Sequence, residues 1–141
     1  MNAPRILIVE PNLEVYRTLM LTLEELFPEA GLKKSEDVYT ALWDAVEFAP
    51  TTVLINYNTV NKQVGPLMVR LKKIVLDAQV IVFYSMDLIE YEEELKNKLL
   101  EEPGFENVYI MRIEELLSNV KTVISKQTSI DTQVSNKKYR E

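Results

Sequence analysis

Apolar residues in this chain fall into two alternating patterns. Short unbroken runs are followed by longer stretches in which apolar positions recur at helical spacing. Arg5 to Val9 reads RILIV, and Pro11 then blocks further pairing. An unbroken branched run suits a strand covered on both faces. Val15, Leu19, Thr22, Leu23 and Leu26 follow as one helical face, with Asn12 placed as a cap and Pro28 just past the end. Gly31 to Ser35 reads as a short second strand whose two lysines suit a sheet edge. Val38 to Ala49 again has helical spacing, and Pro50 stops it. Trp43 lies on this pattern and is expected to be partly buried.

The alternation continues. Thr51 to Asn56 reads TTVLIN, another buried-strand run. Pro66 suits the first turn of a third helix carrying Leu67, Val69, Leu71, Ile74 and Val75. Gln79 to Tyr84, QVIVFY, is the strongest strand signal. Asp87 and Glu90 resemble a capping box before Leu88, Tyr91, Leu95 and Leu99. Asn107 to Met111 predicts a fifth strand. Ile113, Leu116, Leu117, Val120 and Ile124 predict the last helix. The reading is one domain over residues 1–125 and a flexible polar tail or linker over 126–141. Five strand–helix repeats imply an α/β fold, a parallel sheet with helices on both faces. Ligands in such sheets bind at the carboxyl ends of the strands. That directs attention to Glu10, Pro11, Asn56, Tyr84, Ser85, Met111 and Arg112.

Composition narrows the chemistry. The 141 residues contain no cysteine and no histidine. Thiolate nucleophiles, disulfides, imidazole bases and the usual zinc sets are therefore excluded. Glycines at 31, 65 and 104 are too far apart for a phosphate loop. No apolar run is long enough to span a membrane, and the first residues lack the pattern of a signal peptide. A cytoplasmic location is the resulting expectation. The net charge of −6 argues against a nucleic-acid partner. Residues 86–106 carry all of that charge, since the rest of the chain balances to zero. Asp87, Glu90, Glu92, Glu93 and Glu94 form either a solvated helix face or a steering surface for a basic partner.

The stretch ILIVEPNLEVYRTLMLTLEEL, together with the strand order and spacing through residue 125, resembles bacterial response-regulator receiver domains of the CheY-like type. The resemblance implies a flavodoxin-like (βα)5 three-layer sandwich, with a five-stranded parallel sheet in the order 2-1-3-4-5. It also implies a phosphoacceptor aspartate ending the third strand and a magnesium ion shared with an acidic pair ending the first. A threonine or serine ends the fourth strand of such domains, and a lysine followed by proline ends the fifth.

The matched positions depart from that pattern. Glu10 stands on the first acidic position and Pro11 on the second. Asn56 stands on the phosphoacceptor. Tyr84 stands on the hydroxyl position, with Ser85 there after a one-residue shift. Arg112 stands on the lysine, and Ile113 on the proline. None of the five aspartates, Asp37, Asp44, Asp77, Asp87 and Asp131, ends the third strand. An aspartyl phosphate needs a carboxylate nucleophile, and magnesium needs several hard oxygens. The expectation is therefore a degenerate receiver with no metal, no cofactor and no catalysis, acting as a protein-interaction module in signal transduction. A small-molecule or anion sensor at the same sheet edge is the alternative. Glu10 and Arg112 form either a remnant pocket or a salt bridge with Asn56 beside it. Tyr109 matches the aromatic that changes rotamer in active receivers, or simply packs. In receivers the fourth helix, fifth strand and fifth helix form the partner face. Here that face holds the acidic cluster and Tyr109, and it offers a homodimer surface.

Overall fold

The computed structural model describes residues 3–57, 64–75, 77–84, 97 and 108–124. The predicted acidic helix, apart from helical Asn97, and the tail from residue 125 lie outside the described residues, as does Ser85. The elements are β1 (Arg5–Val9), α1 (Leu13–Leu26), β2 (Gly31–Ser35), α2 (Val38–Phe48), β3 (Thr52–Asn56), α3 (Val64–Ile74), β4 (Gln79–Tyr84) and β5 (Val108–Arg112). A last helix covers residues 113–124.

All strand pairs are parallel, and the sheet order is β2-β1-β3-β4-β5. The lysine-bearing β2 is an edge strand, as its composition requires: Lys33 and Lys34 have no apolar partners on a second neighbour. The alternation of elements predicted the α/β class with its parallel sheet, and the order is that of the flavodoxin-like sandwich which the resemblance implied.

Strand alternation splits the core into two layers. Leu7, Val9, Val53, Ile55, Val80, Val82 and Tyr84 face α2 and α3, where Val38, Ala41, Ala45, Leu67 and Leu71 meet them. Ile6, Ile8, Leu54, Ile81 and Phe83 face α1 and the last helix through Leu19, Leu23, Leu116, Val120 and Ile124. β1, β3 and β4 are thus buried on both faces, which is why their sequences read as continuous apolar runs.

Local chemistry sets the helix ends. Asn12 Oδ1 accepts from the Val15 N–H at 3.1 Å and caps α1. Asp37 Oδ1 accepts from the Thr40 N–H at 2.7 Å and caps α2. Ala49 closes α2 in the left-handed region, with φ of 51°, and its N–H reaches the Ala45 carbonyl at 3.0 Å. The guanidinium of Arg5, on β1, donates to the Phe48 carbonyl and lies over the Phe48 ring at 4.6 Å. It supplies the positive charge that the last turn of α2 lacks.

The Asp37 cap makes a testable statement about pH. Hydrogen bonds from the Thr40 backbone and hydroxyl, and from the Tyr39 backbone, hold its carboxyl below 3.8. A lowered folded-state value stabilises the fold at pH above the unfolded value. That contribution drains as pH falls through the folded value. Asp37→Asn keeps the capping oxygen and removes the charge. Urea midpoints of Asp37→Asn should therefore fall less steeply with acid than those of the parent chain. Parallel acid limbs in the two proteins would contradict the assignment.

The structure revises two details of the sequence reading. Trp43 is 74% exposed, not partly buried. Val69 and Ile74 are also largely outside the core, which α3 meets through Leu67, Leu71 and the following Val75. Trp43 lies two residues, about 200° round the helix, from buried Ala41 and Ala45, and Val69 is placed likewise between Leu67 and Leu71, so both point away from the sheet, whereas Ile74 shares the buried spacing and sits at its margin.

Candidate functional site

The carboxyl ends of β1 and β3 come together because the two strands pair in register from Ile6 with Thr52 to Val9 with Ile55. One residue further, Glu10 and Asn56 leave the sheet side by side. The Glu10 N–H still donates to the Ser35 carbonyl at 2.9 Å, so its backbone remains anchored to β2. Its side chain is 1% exposed. A buried carboxylate needs donors around it. Asn56 Nδ2 donates to Glu10 Oε2 at 2.5 Å, and the Asn12 N–H donates to Oε1 at 3.3 Å. Both carboxylate oxygens are therefore engaged.

Pro11 is exposed and opens the turn into α1. It carries no N–H and no ligand oxygen on its side chain. Asn12 has two roles in this turn: its side chain caps α1 while its backbone N–H holds Glu10. Sequence reading identified only the cap. The short spacing in Glu-Pro-Asn, where a turn brings residue i+2 back to residue i, was the available signal for the second role.

On the other side of the sheet edge, Asn56 is in register with Phe83, and Tyr84 is in register with Arg112. Tyr84 is fully buried in the layer beneath α2 and α3. Arg112 follows the pleat of Ile110 and starts from the same face as Tyr84. Glu10 and Arg112 thus leave opposite faces of the sheet, three strand spacings apart, roughly 14 Å at the backbone. Tyr109 lies on the α1 face, half-buried, and packs with Met111 and Ile113 against that core layer. Deeper along the same edge, Ser35 Oγ donates to Asp44 Oδ2 at 2.7 Å, tying β2 to α2.

These donors do not fit a magnesium ion. Glu10 supplies a carboxylate whose two oxygens already accept hydrogen bonds, and Asn56 presents its NH2 to that carboxylate. Magnesium requires an octahedral shell of oxygens. Among the described residues, no group of three acidic, histidine or cysteine side chains is placed to hold a metal ion. No described helix is long and apolar enough to cross a membrane.

No protein-family model matches the sequence, and no curated protein matches it. Solved structures do match. A response regulator receiver domain protein from Clostridium thermocellum superposes with a TM-score of 0.71 at 10% identity, covering 93% of this chain and 98% of that one. The chain has the receiver fold. A response regulator from Thermotoga maritima gives 0.68 at 16% identity, over 88% of this chain and 99% of that one. A CheY-like receiver domain protein from Methanospirillum hungatei gives 0.66 at 16% identity, over 91% and 98%. Such low identities establish a shared receiver architecture, and the chemistry must be argued from this chain's own residues.

Proposed function

We propose that this chain is a receiver-like signalling module that works by docking a protein partner, without phosphoryl transfer. The observation that carries this reading is the Asn56–Glu10 hydrogen bond. An amide occupies the position at which a receiver needs a nucleophilic carboxylate, and it spends its donor on the remaining acidic side chain. Pro11 contributes no ligand oxygen, and Tyr84 fills the space of a small hydroxyl residue with a buried ring. Both oxygens of the Glu10 carboxylate accept hydrogen bonds from the chain itself, so the Glu10–Asn56 pair reads as a structural joint.

The acidic cluster Asp87, Glu90, Glu92, Glu93 and Glu94 supports a partner with a basic surface. That cluster, with Tyr109, occupies the stretch of sequence that forms the docking face in receivers.

The direct test is incubation with acetyl phosphate, or with beryllofluoride, in the presence of magnesium. The expected result is an unchanged intact mass and unchanged amide resonances around Asn56. A phosphoryl adduct, or a beryllofluoride-dependent shift at Glu10 and Asn56, would overturn the reading. A rise in melting temperature with phosphate alone would move it to anion sensing at the same edge.

A further inference from the structure

The helix α2 carries two apolar faces, and the core uses one of them. Val38, Ala41 and Ala45 are buried against the sheet. Tyr39, Trp43 and Val46, spaced i, i+4 and i+7, are 66%, 74% and 60% exposed. Three large apolar side chains in line on one helix face form a patch of the kind that marks an interaction surface.

Two side-chain contacts orient this stripe. Asp44 accepts a hydrogen bond from Ser35, so it marks the flank of α2 toward the edge strand β2. Val46, two residues on, lies about 200° further round the helix, on the flank toward α3. Tyr39 is seven residues from Val46 and shares its face. On α3, Lys72 Nζ donates to the Ala78 carbonyl just before β4, which marks the β4 flank. Arg70 and Ile74, two residues either side of Lys72, fall on the opposite flank, toward α2. Lys73 is exposed beside them.

The outer surface of the α2–α3 layer therefore has an order across it. Exposed Glu47 lies along one border. The stripe of Trp43, Tyr39 and Val46 comes next, with Ile74 beside it, and Arg70 and Lys73 form the other border. An acidic border, an apolar centre and a basic border make a surface that complements itself after a two-fold rotation.

We infer that this face is a homodimer interface, in which α2 of one copy lies over α3 of a second copy. A two-fold axis parallel to the helices brings the two apolar stripes together at the centre. It also sets each Glu47 opposite the second copy's Arg70 and Lys73. The available area is of the right size. Tyr39, Trp43, Val46 and Ile74 expose roughly 450 Å² of apolar surface, a little over half of the ~800 Å² per partner in a standard interface. Specific interfaces have about that apolar share, with a polar rim for the remainder. This surface includes none of the residues of the acidic segment proposed above for partner docking.

The test uses the full 141-residue chain. Trp43 is its single tryptophan, so intrinsic emission reports directly on the interface. Sedimentation equilibrium should show a monomer–dimer equilibrium, with Trp43 emission moving to shorter wavelength over the same concentration range. Val46→Glu places a charge in the stripe and should weaken association at least tenfold, with an unchanged circular dichroism spectrum. Glu47→Lys should weaken it roughly tenfold. Combining Glu47→Lys with Arg70→Glu and Lys73→Glu restores both borders with their signs exchanged, and should recover dimerisation to within about threefold of the parent. A monomeric mass at every concentration would overturn the inference and leave the face to a different protein. A dimer insensitive to Val46→Glu, or a charge exchange that recovers nothing, would overturn it equally.

Discussion

Asn56→Asp is expected to destabilise the chain by about 2–4 kcal/mol at neutral pH, measured by urea denaturation. The substitution is nearly isosteric, so packing contributes little. The loss comes from removing the donor to a carboxylate that is 1% exposed and setting a second negative charge against it. Divalent cations should recover part of the loss, because two facing carboxylates attract a cation that an amide–carboxylate pair does not. The exchanged pair, Glu10→Gln with Asn56→Asp, should recover most of it without metal, since one amide again faces one carboxylate. A stable Asn56→Asp variant, or an exchanged pair no better than the single substitution, would show that the hydrogen bond does not organise this sheet edge.

The second large effect is expected at Tyr84. Tyr84→Thr replaces the buried ring by a small hydroxyl residue, and it should cost about 2–4 kcal/mol. The ring is fully buried with Val82, Leu67 and Leu71 in the layer beneath α2 and α3. Its removal leaves a cavity that the neighbouring strands are too rigid to close. With total stabilities of 5–15 kcal/mol typical of small domains, such a loss is large. Chemical denaturation measures it. A cost below about 1 kcal/mol would mean that the ring is not a packing element and that the small residue fits the site as it stands. The same variant tested with acetyl phosphate separates two obstacles. If the bulky ring alone blocked phosphorylation, Tyr84→Thr would become reactive; the assignment to Asn56 requires that it stay inert.

Much of the architecture was legible locally. β1, β2 and β4 have the bounds read from the sequence, β3 begins one residue later, and β5, Val108–Arg112, is shifted by one residue from the expected 107–111. Pro11, Pro28 and Pro50 punctuate the chain as their missing N–H groups dictate. Asn12 and Asp37 cap helices because a short polar side chain ahead of an apolar helical face can accept from the first turn. These features depend on neighbours within a few residues, and sequence spacing records them.

The misread positions share a cause. Trp43, Val69 and Ile74 are apolar residues of helices but do not reach the core, Trp43 and Val69 because they lie about 200° round from their buried neighbours and Ile74 because it sits at the margin of the buried arc. Periodicity tells which residues share a helix face, whereas the width of the arc that the sheet covers is set by how neighbouring helices pack. The Arg5 clamp on the α2 carboxyl end was equally invisible, because it joins residues 43 positions apart.

The site divides along the same line. Sequence by itself determined which residue types stand at the strand ends: one glutamate, one proline, one asparagine, one tyrosine and one arginine. Those identities follow from strand spacing, a local property of the chain. Only the tertiary structure decided how they are satisfied. Parallel pairing of β1 with β3 brings Asn56 against Glu10 across 46 residues, and the pleat sends Tyr84 and Arg112 to the other face. A buried carboxylate takes whatever donors the assembled sheet places within reach, and that geometry exists only after the strands have met.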